Sequence, residues 1–232
     1  MHRTSDLYTE IYQNPLHRKE TRVDIAGVTY SGGDIVSNTV YGGIFSAPGI
    51  GICAARQIAL TVFPKGDIPR QAKIEVFVRL TLDDKASEWL PKGVFFIRTR
   101  QKDKRTGALT ISGADAMLKA EAVWLNDDYK YDEWPKTQDE AVRDIAQRMG
   151  VEVDSRTVLS PQFPVDYPID ENGDLTMRQV LSFIAVSNAG NWVITDEGKL
   201  RLLAFGVLPP ETNYLVTEYG EAITLAGVRI LV

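Results

Sequence analysis

The side chains that could carry out nucleophilic or acid–base chemistry are few in this chain. The two histidines, His2 and His17, precede the first predicted strand, and the one cysteine, Cys53, has no histidine near it in sequence. A serine or cysteine nucleophile needs an imidazole beside it to take its proton. We therefore predict that both histidines are surface residues. Because free cysteine is among the most buried residue types, we predict that Cys53 is a buried structural thiol.

Motifs for metals and nucleotides are missing as well. No CxxC, HExxH, P-loop or dinucleotide fingerprint occurs, and two histidines are too few for most zinc sites. The glycines of 42–43 and 49–51 resemble a phosphate cradle, but no GxGxxG or helix-opening lysine follows them. We interpret them as turn or bulge glycines. The sequence therefore predicts no catalytic residue, no cofactor and no metal site.

Two pairs of adjacent carboxylates leave one enzymatic class open. A glycosidase needs only two carboxylates placed across a sugar ring, and the chain contains Asp83-Asp84 and Asp127-Asp128. Neighbouring side chains of an extended segment point in opposite directions, so we interpret both pairs as solvated loop charges. A peptidoglycan hydrolase remains an alternative.

The tryptophans could bind carbohydrate, because an aromatic face packs well on a pyranose ring. The chain has four: Trp89, Trp124, Trp134 and Trp192. Trp192 begins a predicted strand, and Trp134 precedes a predicted helix as a hydrophobic staple does. We favour core and staple roles and keep a carbohydrate-binding module as a second alternative.

Composition and charge are those of a globular protein. Of 232 residues, 44% are hydrophobic and 25% are charged, close to globular averages. The net charge of −5 argues against a nucleic-acid-binding surface, which normally has a basic excess. The basic run Lys102–Arg105 is interrupted by Asp103 and is typical of an exposed hairpin tip. No apolar run reaches the length of a membrane-spanning helix and no signal peptide is present, so we expect a soluble chain made in a cytoplasm.

Strands dominate from Thr21 to about Ser112. Apolar residues alternate with polar ones in 58–62 and in 74–82, which is the pattern of half-buried strands. The segment 93–112 predicts two strands joined by a charged turn at 101–107. Gly113 is predicted to break the second strand, and Asp115 is predicted to cap a following short helix.

Two capped helices and a hairpin follow. Thr137 with Glu140, and Thr176 with Gln179, have the spacing of capping boxes. Each precedes an apolar stripe with helical period, which predicts helices that end at Gly150 and Gly190. The residues 191–204 predict a hairpin with its turn at 196–199. The last eleven residues, 222–232, predict a single strand. Its apolar residues would need a partner, either a missing domain or a neighbouring subunit: Ile223, Leu225, Val228 and Ile230.

The ordered series of strand, basic turn, strand and Asp115-Ala-Met-Leu118, then Trp134-Pro135 and the two capped helices, resembles the N-terminal hub region of tailed-phage baseplate hub and tail-tip proteins. The resemblance implies a mainly β fold with an α+β insert. It divides the chain into an N-terminal arm (1–20), a tube-forming antiparallel β-barrel (21–123), a two-helix α+β domain (124–212) and the first strand of an incomplete second barrel (213–232).

The resemblance also implies a structural function. Such a protein forms a homotrimeric ring at the tail tip of the virion, after assembly in the bacterial host cytoplasm. The ring joins the distal tail protein ring at the end of the tube, and the tape-measure protein, to a distal spike, fibre or lysin. DNA only passes through it, so we expect a lumen that is neutral to acidic, because a basic wall would hold phosphates.

Overall fold

The computed structural model describes residues 4–42, 49–125, 134–167, 169–170, 173–205, 224–225 and 228–229. Three α-helices, fourteen strands and two short 3₁₀ helices are defined in these residues. The α-helices are α1 (Asp6–Gln13), α2 (Gln138–Met149) and α3 (Met177–Ser187), and the 3₁₀ helices are Gly32–Asp34 and Ala116–Glu121. The strands are β1 (Arg18–Ile25), β2 (Val28–Ser31), β3 (Ile35–Tyr41), β4 (Gln57–Val62), β5 (Lys73–Leu82), β6 (Lys85–Ala86), β7 (Leu90–Lys102), β8 (Leu109–Ala114), β9 (Ile169–Asp170), β10 (Gly173–Asp174), β11 (Gly190–Ile194), β12 (Leu200–Ala204), β13 (Thr224–Leu225) and β14 (Val228–Arg229).

One curled antiparallel sheet contains β1 to β8. Its strands follow the order β2-β1-β5-β7-β8-β4-β3, and β6 pairs with β5. The alternating apolar residues of these strands face one core, as the period-2 pattern predicts. That core includes the fully buried side chains of Val23, Ile58, Ile74, Phe95 and Ile111. The sheet is a half-barrel, and the prediction of a mainly β fold with an α+β part is confirmed.

The two end strands of this sheet form one kinked path. β2 is antiparallel to β1, and β3 is antiparallel to β4. Because every pairing from β1 through β5, β7 and β8 to β4 is antiparallel, β1 and β4 run in the same direction, and β2 and β3 both run opposite to them. The chain therefore keeps one direction through β2 and β3. At the 3₁₀ helix Gly32–Asp34, between these two strands, it leaves the β1 edge of the sheet and joins the β4 edge.

The first twenty residues differ from the predicted arm. Residues 6–13 form α1, whose N-cap Ser5 accepts a hydrogen bond from the Tyr8 N–H. Ile11 is fully buried, and the Ser5 hydroxyl donates to Glu88. The first strand begins at Arg18 rather than Thr21. Only four residues of α1 are apolar or aromatic, and their periodicity is too weak to predict a helix. Such a short helix is stabilised mainly by its tertiary contacts, which the sequence does not show.

The hairpin of β7 and β8 confirms the predicted strands and turn, with one correction. Gly113 lies inside β8, which continues to Ala114. A Cβ at Gly113 would come within 2.8 Å of the Phe96 carbonyl oxygen, so this glycine permits a close approach of β7 instead of ending the strand. The ladder also shifts register between Ile97 and Thr99, as at a β-bulge.

A second core lies under α2, α3 and the 3₁₀ helix Ala116–Glu121. β11 pairs with β12, and two single-residue bridges add parallel neighbours on either side, Cys53 to Trp192 and Val153 to Leu200. The predicted boundary at 123–124 stays a prediction, but the second core uses residues before it, including Cys53 and Met117.

The caps of α2 and α3 confirm the predicted helix starts. The Thr137 hydroxyl accepts from the Glu140 N–H at 3.2 Å, and the Thr176 hydroxyl accepts from the Gln179 N–H at 3.2 Å. Gly150 ends α2 with a φ of 70°. The predicted end of α3 at Gly190 is wrong: Ala189 has the left-handed φ of 48° and Gly190 starts β11. A Cβ at Gly190 would meet the Leu203 carbonyl oxygen at 2.7 Å, so its missing side chain serves sheet packing.

Candidate functional site: the junction of the two cores

Cys53 is buried at the junction, as predicted. Its sulfur lies 3.8 Å from the Arg178 carbonyl oxygen and 3.9 Å from that of Gly51. Burial raises the pKa of the Cys53 thiol to about 12. A thiol with so high a pKa is protonated near neutral pH and is a poor nucleophile. The predicted burial of Cys53 is confirmed.

The other residues considered for chemistry are described only in part. His17 is half-buried and bonds through Nδ1 to the Asn14 carbonyl oxygen at 2.6 Å, while His2 lies outside the described residues. Asp83 and Asp84 form the exposed turn between β5 and β6, which confirms the loop interpretation. Asp127 and Asp128 lie outside the described residues. In the described ranges, no group of three or more His, Cys, Asp and Glu side chains is placed to hold a metal ion.

The tryptophans serve packing. Trp124 and Trp192 are fully buried, and their indole N–H groups donate to Asp144 at 2.6 Å and to the Leu181 carbonyl at 2.8 Å. Trp134 packs edge-on against Trp124, with ring centroids 5.8 Å apart. The half-buried Trp89 lies beside the guanidinium group of Arg79, 4.6 Å from the ring centroid. The core role is therefore confirmed for Trp124 and Trp192.

Arg56 connects the two cores. It precedes β4, and its guanidinium group donates to Asp196 at 2.5 Å and to the Thr195 carbonyl at 3.0 Å. Both acceptors belong to the turn between β11 and β12. Arg56 Nε lies 3.7 Å from the fully buried carboxylate of Asp115, close enough for electrostatic attraction but too far for a hydrogen bond. One arginine thus holds the half-barrel against the hairpin of the second core.

Asp115 joins the end of β8 to the 3₁₀ helix Ala116–Glu121. Its carboxylate accepts from the Met117 N–H at 3.0 Å, which is the predicted cap, and from the Arg56 N–H at 3.0 Å. Burial raises the pKa of Asp115 to about 6, because desolvation outweighs the opposing effects of these hydrogen bonds and of the Arg56 charge. Asp115 is therefore a buried carboxylate whose pKa lies closer to neutral than its ordinary value of 3.8.

The segment from Gly49 to Cys53 packs directly on α3 and β11. The Gly51 N–H donates to the Gly190 carbonyl at 2.9 Å, and the Ser182 hydroxyl donates to the Gly51 carbonyl at 2.7 Å. A Cβ at Gly51 would lie 2.6 Å from Val186. Gly51 is therefore needed for close packing against α3. This packing role supports the interpretation that residues 49–51 are not a phosphate cradle.

An exposed apolar surface, the α3 surface, borders this segment. It consists of four large side chains that are half or more exposed: Ile50, Phe163, Phe183 and Val186. Phe163 and Phe183 line one groove of about 260 Å³ between α3 and residues 163–167. Contiguous exposed apolar side chains often mark interaction sites. The α3 surface is therefore a candidate assembly surface.

The predicted pairing strand at the end of the chain is partly outside the described residues. Ile223 and Ile230 are not among them. Leu225 and Val228 face each other in the antiparallel pair of β13 and β14, so one continuous strand over 222–232 is wrong. The apolar pattern of 222–232 did not indicate this antiparallel pairing. The pairing of these strands with another subunit or domain stays a prediction.

Comparisons with known proteins identify a fold. No protein-family model and no protein of curated function matches the chain. The chain is similar to a 43 kDa tail protein of prophage MuSo2 from Shewanella oneidensis, with 13% identity and a TM-score of 0.52 over 81% of this chain and 56% of that one. The fold is that of a prophage tail protein. The chain spans 56% of that protein's length.

Two further tail proteins are similar at lower scores. One, from Neisseria meningitidis MC58, has 16% identity and a TM-score of 0.48 over 79% of this chain and 51% of that one. The other, prophage tail protein gp18 from Listeria monocytogenes EGD-e, has 9% identity and a TM-score of 0.44 over 80% and 50%. Within the described residues, no helix is long and apolar enough to cross a membrane.

Sequence reasoning missed Arg56 and the α3 surface. Arg56 stands alone between short segments, so nothing nearby signalled partners 59 and 140 residues away. The α3 surface did leave a signal. The run from Val180 to Val186 has one polar residue in seven. On a helix, these apolar residues cover a wider arc than one buried face needs, so some of them must be exposed.

Proposed function

We propose that this chain is a structural protein of the tail of a phage or of a phage-derived injection device. The fold shared with the Shewanella tail protein carries this proposal. The order of sequence elements that resembles tail-tip hubs supports it independently, because that order depends on the residue pattern and not on the fold. The finer role is a hub at the tail tip, in a ring of three copies through which DNA passes.

The chemistry of the described residues supports a non-enzymatic role. Cys53 is held in the protonated form by burial, and the Asp83-Asp84 pair lies on an exposed turn. Asp115, whose pKa is raised, is fully buried and caps a helix. A glycosidase needs an accessible pair of carboxylates, which these contacts do not favour.

Assembly into the ring is expected to bury the α3 surface. Its apolar side chains are exposed in a single copy, and obligate interfaces are more apolar than the rest of a protein surface. The expected ring partners are the distal tail protein ring and the tape-measure protein on one side and a spike or fibre on the other. The expected location is the tail tip of the virion.

The test is location and stoichiometry in particles. Gold-labelled antibodies against the purified chain are applied to particles from a strain that carries its gene, and the same particles are imaged by cryo-electron microscopy. Label at the tip with threefold density supports the hub. Label along the tube supports a tail protein but contradicts the tip role, and label on the capsid contradicts both. Release of sugar from peptidoglycan by the purified chain would contradict the non-enzymatic role.

A further inference from the structure

The hairpin of β7 and β8 ends in a positively charged surface, the basic tip. It comprises residues 98–107, of which 98–106 are all exposed. The tip has one carboxylate, that of Asp103, and five cations: Arg98, Arg100, Lys102, Lys104 and Arg105. Its formal charge is therefore +4, so the other 222 residues carry −9 in a chain whose net charge is −5. Positive charge is concentrated at one place on an acidic chain.

The basic tip lies at one end of the curled sheet, away from the junction of the two cores. Phe96 of β7 pairs with Lys73, the first residue of β5. β7 then continues past β5 for six residues, to Lys102, which is about 20 Å of strand. Lys102 faces Leu109, whereas Asp115 follows the opposite end of β8. A macromolecule can therefore reach the tip without disturbing the junction.

The one carboxylate of the tip is used by the turn itself. Asp103 accepts from the Arg105 N–H at 2.7 Å and from the Thr106 hydroxyl at 2.8 Å, and these hydrogen bonds hold its pKa below the ordinary value. The Asp103 N–H donates to the Ala108 carbonyl at 2.8 Å, and its carbonyl accepts from the Gly107 N–H at 2.8 Å. The backbone that carries the cations is thus ordered before any partner arrives, which lowers the entropy lost on association.

No ion pair between described residues includes a cation of the basic tip. By contrast, Lys65, which follows β4 at the same end of the sheet, pairs with Asp34 at 2.6 Å. Arg100 donates to the Ile68 carbonyl, a neutral acceptor that leaves its charge unbalanced. Like charges gathered on one surface repel one another and attract anions. The described part of the chain does not balance the charge of the tip.

We propose that the basic tip is a docking element for an acidic surface of a different protein. Residues 98–107 include no aromatic and no large aliphatic side chain, so burial of apolar area cannot drive the contact. The attraction is electrostatic, and it speeds the encounter and orients the partner. The partner presents a compact group of about four aspartates and glutamates, enough to balance the charge of the tip. This docking element stands whether or not the chain belongs to a tail.

A nucleic acid fits the basic tip less well than an acidic protein does. A duplex carries a phosphate charge for about every 1.7 Å of its axis, so a duplex on the tip also runs past the remainder of the chain, with its charge of −9. Single strands are held by aromatic side chains that stack on bases, and the tip has none. An acidic protein confines its charge to one patch, which matches a tip of ten residues.

A second copy of this chain is a poorer partner than a different protein. Many of its described carboxylates already pair with its own cations, as Glu75 does with Lys73 at 2.9 Å and Asp139 with Arg143 at 2.7 Å. A copy would have to break such pairs to offer the same carboxylates to the tip. We therefore assign the acidic surface to a different protein.

The first test measures binding of the purified chain to a fluorescein-labelled peptide of ten residues in which glutamate alternates with serine. Fluorescence anisotropy is expected to show binding in about 20 mM salt and binding about tenfold weaker in about 200 mM salt. The physical reason is that the screening length falls from about 20 Å to about 7 Å. The same peptide with glutamine in place of glutamate is expected not to bind. Equal binding of both peptides, or no binding of either, would overturn the proposal.

A triple variant locates the binding surface. Lys102→Gln, Lys104→Gln and Arg105→Gln together remove three charges from the tip and are expected to weaken binding of the glutamate peptide about tenfold, the effect of three exposed ion pairs. Because these side chains are exposed and lie outside both cores, the variant is expected to fold normally, which far-UV circular dichroism checks.

A second triple variant is the matched control. Lys85→Gln, Arg143→Gln and Lys199→Gln change the net charge by the same amount at exposed cations outside the tip. This variant is expected to change binding of the glutamate peptide less than twofold. Equal losses in the two triple variants would show that the peptide responds to net charge alone, which would overturn the assignment to the tip.

Two further measurements decide the kind of partner. A labelled DNA duplex of 20 base pairs carries about 40 phosphates, yet we expect it to bind no more tightly than the glutamate peptide. Duplex binding more than tenfold tighter than peptide binding, and lost in the tip variant, would overturn the proposal in favour of a nucleic acid. In sedimentation velocity at low salt, self-association that is lost in the tip variant would identify a second copy as the partner and would also overturn it.

Discussion

Arg56 bonds to residues that lie about 140 positions away along the chain. It bonds to the turn after β11 and neutralises part of the charge of buried Asp115. Removing one partner of a buried charge pair is costly, because the other charge stays buried without compensation. We expect Arg56→Ala to lower the free energy of unfolding by about 3 kcal/mol in urea titrations at neutral pH.

A second arginine is the matched control for that change. Arg143 pairs with Asp139 on the surface of α2, and both side chains are more than half exposed. Exposed pairs of this kind contribute about 0.3 to 0.5 kcal/mol, so Arg143→Ala is expected to have a small effect. Equal effects of the two substitutions would show that the junction does not depend on Arg56.

Asp115 predicts a pH dependence at the same place. Its folded-state pKa, about 6, exceeds the ordinary value of 3.8, so between these pH values the folded state holds a proton that the unfolded state releases. Its contribution to stability is therefore largest below pH 4 and falls as pH rises to about 6. Other groups also titrate, so the measured quantity is the difference in unfolding free energy between the wild type and Asp115→Asn.

The unfolding free energy of the wild type, relative to that of Asp115→Asn, is expected to fall as pH rises from 4 to 6. Above about pH 6 the difference is expected to stay constant. The comparison is made by chemical denaturation at several pH values. The variant Asp139→Asn, which changes an exposed carboxylate on α2, serves as the control. A flat difference for Asp115→Asn across this range would contradict the raised pKa of Asp115.

At the scale of the elements, the capping boxes of α2 and α3 should each make a measurable contribution to stability. Thr137→Ala and Thr176→Ala each remove the hydroxyl that accepts an N3 amide hydrogen bond. Each is expected to cost about 0.5 to 2 kcal/mol in thermal or urea unfolding. Ser155→Ala, in an exposed turn, is the control. No loss for either threonine variant would mean that the caps do not stabilise the helices.

Substitutions on the outer face of α3 are expected to change assembly rather than stability. Phe183 is 60% exposed and Val186 is 55% exposed, so replacing both by serine is expected to change the stability of a single copy by less than about 1 kcal/mol. If the α3 surface is buried in a ring, the same variant should lose assembly in mass photometry. Val158→Ser, at 75% exposure and outside the groove, should assemble normally.

At the scale of the molecule, the two cores are expected to unfold together. Residues 49–56 and the 3₁₀ helix Ala116–Glu121 belong to the half-barrel in sequence but contact the second core. Elements shared between cores make their unfolding cooperative. Fluorescence reports mainly the second core, which holds Trp124 and Trp192 with Trp134 packed against it, and circular dichroism reports the sheet. Their urea midpoints should coincide, and separated midpoints would indicate independent domains.

The sequence alone determined the local structure where the signal is local. The alternation in β4, β5 and β7, the capping boxes at Thr137 and Thr176, and the cap at Asp115 depend on residues close in sequence. Each was predicted because period and cap chemistry are fixed by backbone geometry. The burial of Cys53 followed from its residue type.

The tertiary structure alone decided features that join distant residues. The docking of α1, the kinked path of β2 and β3, and the bonds from Arg56 to the turn after β11 all connect segments that no short window contains. Gly113 and Gly190 were read as breaks because a glycine looks the same in sequence whether it ends an element or admits a neighbouring strand. Only the position of that neighbour distinguishes the two, and it is set by the packing of the whole chain.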